Sequence, residues 1–191
     1  LNQLLKGLPD KNVITYVLPK GEQEKKLKTV HKIIDHLLEH GFGRDATLIS
    51  LGGGVVCDIT GFVASVFMRG VNVIQIPTTL LAQVDASVGG KTGVNTNFGK
   101  NRVGSFYAPK MVCIPVDTLR TLPLEEIKSG LGEVIKHGVL GSLEIIDILA
   151  NKPREVLQCS DIVLKRLIYL SCQLKASIVS KDEHENGLRA V

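Results

Sequence analysis

A glycine triplet, Gly52-Gly53-Gly54, joins the apolar run Thr47-Leu48-Ile49-Ser50-Leu51 to a helical apolar pattern from Val55 to Phe67. So abrupt a passage from strand to helix needs residues without a Cβ, and it fixes the kind of unit in which it can sit. Val13 to Leu18 reads as a strand closed by Pro19 and Gly21. Gln23 to His40 then carries Leu27, Val30, Ile33, Ile34, Leu37 and Leu38 at helical spacing, ended by Gly41 and Gly43. Val71 to Ile76 is a further apolar strand, stopped by Pro77. Strand, helix, strand, helix, strand predicts an α/β unit with a parallel sheet and crossover helices. The spacing also predicts a short helix over Thr79–Val88, a Gly-rich loop over Gly89–Gly93 and a last strand over Met111–Ile114. After Pro123 only helical patterns occur, over Glu125–Val139, Leu143–Ala150 and Asp161–Lys181. A boundary near Leu122 to Leu124 would divide residues 1–122, an α/β domain, from residues 123–191, the opening of an all-α domain.

Composition narrows the function classes. At 191 residues, 44% hydrophobic and 22% charged, the chain needs no disulfide or metal staple to hold a core. Aromatics are 4% with no Trp, which removes a stacking platform for single-stranded nucleic acid. The 23 basic and 19 acidic residues are interspersed, so a net charge of +4 points to small anions, with no nucleic-acid partner. Cys57, Cys113, Cys159 and Cys172 form no C-x-x-C pair and read as four buried reduced thiols of a cytoplasmic protein. Leu1 to Gly7 lacks the sections of a signal peptide. The apolar stretch Ala46–Met68 holds three glycines and Asp58; a mid-bilayer charge costs about 2.5–3.5 kcal/mol, so strand plus buried helix is expected rather than a membrane span.

Several positions can carry chemistry. The glycine triplet stands where backbone N–H groups and a helix N-terminus receive phosphate, although three glycines also suit a plain tight turn, and Cys57 breaks the G-x-G-x-x-G pattern. Asp85-Ala86-Ser87-Val88-Gly89-Gly90-Lys91-Thr92 approaches a P-loop, but Asp85 occupies the first glycine position and would repel nucleotide phosphate. Gly-Gly-Lys can still meet an anion, with Lys100 and Asn101 nearby; a solvated loop would look the same. Glu133, Lys136 and His137 fall at i, i+3 and i+4, on one helix face. Surface pairing explains them as simply as metal binding, since two ligands alone make no zinc site. Lys175, Glu185 and Arg189 could likewise be solvated.

Taken together, Gly52 to Asp58, Gln75 to Thr92 with its Pro77-Thr78-Thr79 and Gly89-Gly90-Lys91-Thr92 blocks, Gly99-Lys100-Asn101, and Gly132 to Lys136 closely resemble the 3-dehydroquinate synthase family, in register from about Gly21 to Arg189. The resemblance implies a Rossmann-like NAD-binding α/β domain followed by an all-α domain, with the site between them. It implies a shikimate-pathway lyase that converts DAHP to 3-dehydroquinate and phosphate, using NAD and Zn2+ or Co2+. Oxidation, phosphate elimination, re-reduction and aldol closure would follow one another with no net redox change.

By motif position, NAD is expected at Glu22, Lys25, Gly53, Gly54, Asp58, Thr78, Thr79, Asp85, Lys91, Lys100, Thr118, Leu119, Arg120 and Thr121. Substrate is expected at Arg69, Lys91, Asn101, Lys136, Lys175 and Arg189, with Arg69 reaching over from the second copy of a homodimer. Asp85, Lys91, Lys136 and Glu185 are the expected catalytic residues, Asp85 orienting Lys91 and the nicotinamide. Glu133 matches the zinc-binding glutamate; two further His ligands are expected beyond Val191, and the first strand of the nucleotide domain before Leu1. His137 and His184 do not replace them, and His184 reads as exposed. Cys57 stands where the family commonly has Gly. A related cyclase of the 2-deoxy-scyllo-inosose synthase type is the nearest rival, although Val88-Gly89-Gly90-Lys91-Thr92 favours the dehydroquinate branch. A polyol dehydrogenase would consume NAD stoichiometrically, and an inactive NAD-binding fragment would hold zinc weakly.

Overall fold

The structure is a computed structural model that describes residues 2–8, 12–182 and 187. After a short helix α1 (Asn2–Lys6) and a 3-10 turn (Glu22–Glu24), the chain builds α2 (Leu27–Glu39), β1 (Thr47–Gly52), α3 (Gly54–Val66) and β2 (Asn72–Pro77). With β5 (Met111–Val112), these strands make a parallel sheet in the order β1-β2-β5. The β1–β2 register runs from Thr47 opposite Asn72 to Gly52 opposite Pro77. The expected α/β alternation is therefore present.

Four expectations need correction. Val13–Leu18 forms no strand: a β-branched run becomes one only where its backbone finds a ladder, and none is offered among the described residues. Ile14 and Leu18 still pack onto the core while Val17 is exposed. The helix expected over Thr79–Val88 is mostly a π-type turn, Ala82–Ala86, where Ser87 N–H reaches back to the Ala82 carbonyl at 3.0 Å. The expected loop at Gly89–Gly93 opens a hairpin of β3 (Lys91–Thr96) and β4 (Gly99–Phe106). Its glycines hide the strand period but permit a close pass, since a Cβ on Gly104 would stand 1.9 Å from the Thr92 carbonyl oxygen. Finally, Cys113 is exposed and Cys159 and Cys172 only half-buried, so Cys57 alone fits the expectation of a buried thiol.

Beyond a 3-10 turn (Val116–Thr121) come α4 (Leu124–Gly141), α5 (Leu143–Asn151), α6 (Pro153–Leu157) and α7 (Asp161–Val179). The short α6 escaped the sequence reading. Its Pro153 opens it at the first helical position, where the missing N–H costs nothing. Two apolar cores result. One gathers Val30, Leu37, Ile59, Phe62, Val63, Val73 and Val94 around α3. The other gathers Ile127, Val134, Ile145, Leu164 and Leu167, and it also takes Leu80, Val84, Val116 and Leu119 from before α4. Residues 80–86 thus leave the sheet and dock on the helices.

Gly130 allows that docking. A Cβ there would lie 2.6 Å from Leu80 Cβ and 2.7 Å from the Leu81 nitrogen, whereas nothing approaches a Cβ on Gly132, one half-turn on. Gly130→Ala should therefore lower stability by about 1–3 kcal/mol through overpacking. Gly132→Ala, on the open side of α4, should raise it by up to about 1 kcal/mol through helix propensity. Urea midpoints measure both; equal shifts in one direction would refute this packing.

Candidate functional site

The glycine turn packs more tightly than its composition suggests. A Cβ on Gly52 would meet Val56 at 2.6 Å, and one on Gly53 would meet Thr79 at 3.1 Å. Gly53 caps α3, and the first helical ladder bond beyond it is Cys57 N–H to the Gly53 carbonyl. The earlier N–H groups of α3 have no partner inside the helix, which leaves the turn able to receive an anion. Thr78 N–H closes onto the Gly52 carbonyl at 2.9 Å, and Thr79 Oγ1 accepts from Ala82 N–H at 3.2 Å. Thr78 and Thr79 therefore border the turn.

One turn into α3, Asp58 forms an ion pair with Lys25, whose side chain is 6% exposed. Burial raises the Asp58 pKa, Lys25 opposes that, and the neighbouring Asp85 and Glu22 carboxylates add to it. Asn95, a residue the sequence reading passed over, ties this corner to the hairpin. Its side chain donates to Glu22 Oε1 at 2.7 Å and accepts from Asn101 N–H at 2.9 Å, and its own N–H meets the Lys25 carbonyl at 2.8 Å. Asn101 sits at φ 54, a left-handed conformation that Asn tolerates. Glu22, Lys25, Asp58 and Asn101 are thereby one connected group.

A second group forms at the meeting of the two cores. Lys175 Nζ on α7 reaches Asp85 Oδ1 and the Asp85 carbonyl, both at 2.5 Å. On α4, Lys136 Nζ lies 2.8 Å and His137 Nε2 3.6 Å from Glu133 Oε1, as the one-face spacing predicts. The hydrogen bond to Glu133 holds the Lys136 pKa above its ordinary value. His137 is buried, its pKa is lowered chiefly by desolvation, and its Nδ1 has no partner among the described residues. Asp85, Glu133 and His137 each bring one ligand atom within 4.8 Å of the others. A divalent cation would find three donors here, where the sequence reading named Glu133 alone. The sequence sets His137 aside because it offers only two ligands on one helix face; one-dimensional spacing cannot show that the π-type turn brings Asp85 within reach as a third.

Other expected residues stand apart. Thr118 Oγ1 donates to the Pro115 carbonyl at 2.7 Å and accepts from Gln83 Nε2 at 3.4 Å. Leu119 is fully buried, so only its backbone could face a ligand, and Arg120 pairs with Asp161 at 2.7 Å. Thr121 Oγ1 donates back to the Thr118 carbonyl at 3.1 Å. Lys91 and Lys100 are exposed on the hairpin. Beside Lys91 a groove of about 330 Å³ opens between Gly89, Gly90, Tyr107, Pro109 and the end of α7; uncharged lining residues make it a poor anion site by itself. Arg69 occupies a left-handed corner with Met68 and Gly70 after α3, roughly 20 Å along the helix from the glycine turn. Glu185, Arg189 and His184 lie outside the described residues.

Family models for 3-dehydroquinate synthase match this chain over residues 15–129, the N-terminal part, and 130–191, the C-terminal part. The chain belongs to the 3-dehydroquinate synthase family. It is 50% identical over 191 residues to the 3-dehydroquinate synthase of Colwellia psychrerythraea and 50% identical over 179 residues to that of Acetivibrio thermocellus. It spans about half the length of these relatives, 54% and 50%. Among solved structures it resembles a 2-epi-5-epi-valiolone synthase from Streptomyces hygroscopicus with NAD+ and Zn2+ bound, at 30% identity and TM-score 0.85, over 90% of this chain and 49% of that one. A 2-deoxy-scyllo-inosose synthase with carbaglucose-6-phosphate, NAD+ and Co2+ matches at 29% identity and TM-score 0.77, over 89% and 46% of the two chains. An iron-containing alcohol dehydrogenase from Thermotoga maritima shares the fold at 15% identity and TM-score 0.71, over 95% of this chain and 57% of that one. No helix among the described residues is long and apolar enough to cross a membrane.

Two predictions concern the first turns of α3. Lys25→Met strands the Asp58 carboxylate and should cost about 3–5 kcal/mol, most of it recovered in Lys25→Met/Asp58→Asn; urea unfolding that found the double variant as unstable as the single would exclude a buried pair. On α3, burial pushes the Cys57 thiol from an ordinary 9.0 up to about 11. The folded state then keeps its proton longer than the unfolded chain, so this contribution is complete below about pH 9 and fades as pH rises through about 11. At pH 10 the parent should have lost about 1.4 kcal/mol more than Cys57→Ala, measured from urea midpoints relative to pH 8.

Proposed function

We propose that the protein carrying this chain converts DAHP to 3-dehydroquinate and phosphate, as a lyase dependent on NAD and on Zn2+ or Co2+. The carrying observation is the convergence of Asp85, Glu133, Lys136, His137 and Lys175 at the meeting of the two cores. Relatives named 3-dehydroquinate synthase at 50% identity support it over the sugar-phosphate cyclases matched near 30%.

The residues fit both groups. N–H groups at Gly53 and Gly54 that have no partner inside α3 suit a dinucleotide pyrophosphate, and the Asp85 and Glu133 carboxylates with the His137 imidazole suit a divalent cation. When bound, NAD+ supplies a hydride acceptor and the metal a Lewis acid. Glu22, Lys25, Asp58, Thr78, Thr79 and the 118–121 turn would hold the cofactor. Glu133 holds the metal. Asp85, fixed by Lys175, would orient the nicotinamide. A dianionic phosphate and a carboxylate need several cations at once, which Lys136, Lys175, Lys91 and Lys100 supply, with Asn101 as an amide donor.

Glu185 and Arg189 complete the proton relay and the anion pocket in this reading. Arg69 lies too far along α3 to join its own chain's glycine turn, so it serves a second copy in a homodimer. A cytoplasmic location accords with four thiols that form no disulfide.

Phosphate release from DAHP, assayed with NAD+ and Zn2+, tests the reading. Lys91→Ala and Lys136→Ala should each lower turnover by about a hundredfold or more with an unchanged circular dichroism spectrum. Native turnover in Lys91→Ala would remove that residue from the site, and release independent of NAD+ would overturn the reaction proposed.

A further inference from the structure

A second cluster of metal-ligating side chains lies far from the carboxylates, in the last turn of α2. His36, Glu39 and His40 occupy positions i, i+3 and i+4, and one ligand atom from each lies within 4.8 Å of the others. His40 Nδ1 is 2.8 Å from the His36 carbonyl oxygen, so it carries the proton and donates, leaving the lone pair on Nε2. That is how a metal-binding imidazole is commonly oriented, by a backbone carbonyl on its other nitrogen. His36 is held too: its ring meets Tyr16 edge-on, centroids 5.4 Å apart, and tilts against His40 at 4.4 Å. Its Nε2 is shielded from water and has no hydrogen-bond partner among the described residues.

We propose that His36, Glu39 and His40 bind a first-row divalent cation of the zinc class. Ligands at 2.0–2.2 Å around a tetrahedral ion stand about 3.4 Å apart, so the cluster needs only a small inward rotation, which the exposed Glu39 and His40 can make. Two imidazoles and a carboxylate favour zinc, nickel or copper over magnesium or calcium. The ion satisfies the shielded His36 nitrogen and places positive charge at the C-terminal, negative end of α2. A fourth position is left for water. None of these residues belongs to the Asp85–Glu133–His137 group, which is built from the π-type turn and α4.

Calorimetric titration of the chelator-stripped chain with ZnCl2 tests the site. One zinc event should survive Glu133→Gln and weaken about tenfold or more in His40→Ala and in Glu39→Gln. Untagged chain should be retained on a nickel-chelate column and released earlier in His40→Ala. His40 and Glu39 are exposed, so the variants fold, as circular dichroism checks. Unchanged zinc affinity in both α2 variants, or no zinc event left in Glu133→Gln, would overturn the proposal.

Discussion

A carboxylate withdrawn from water must be met by a cation or be protonated, and three carboxylates impose that constraint here. Asp58 takes Lys25, Asp85 takes Lys175 and Glu133 takes Lys136. The partners differ in what they cost. Lys136 lies one helical turn from Glu133 and comes almost free with α4. Lys25 must be carried onto α3 from a 3-10 turn 33 residues earlier, and Lys175 brought to Asp85 across 90 residues. Correct placement of α2 and α7 is thus a condition for a charged site.

The backbone puts Asp85 where that bond can form. Extra width in the π-type turn rotates the following residues off the face a regular helix would give them. Gln83 anchors the turn from within. It is wholly buried, and its side-chain amide donates to the Pro77 and Pro115 carbonyls at 3.2 and 3.3 Å, joining the end of β2 to the start of the 116–121 turn. The Cys172 thiol on α7 donates to the Gln83 carbonyl at 3.3 Å, one turn before Lys175. Sheet, turn and α7 are thereby fixed to one another beside Asp85.

What the sequence makes legible follows from how local each cause is. The strand–glycine–helix passage and the one-face spacing of Glu133, Lys136 and His137 rest on periods within a few residues, and both are present. The hairpin was illegible because Gly93 and Gly104 stand opposite each other for backbone contact, leaving no alternation to read. Asn95 acts through residues 73 and 6 positions away, and its role exists only once the hairpin reaches the Glu22 corner. Val13–Leu18 misled for the opposite reason, since strand propensity describes a surface a residue can fit and not a partner it will find.

The left-handed corner at Met68, Arg69 and Gly70 shows how local strain is offset at a distance. Non-glycine residues at φ 49 and 67 are disfavoured by about 1 kcal/mol or more each and persist only where neighbours over-determine them. Tyr107 does that: its hydroxyl donates to the Val71 carbonyl at 2.9 Å, just where a Cβ on Gly70 would come within 3.1 Å of it. The same residue's N–H donates to the Gly90 carbonyl at 2.6 Å, beside Lys91. One tyrosine therefore couples the direction in which Arg69 leaves the fold to the position of Gly-Gly-Lys. Within one chain, Arg69 and Lys91, both proposed as phosphate-binding cations, thus share a single mechanical support.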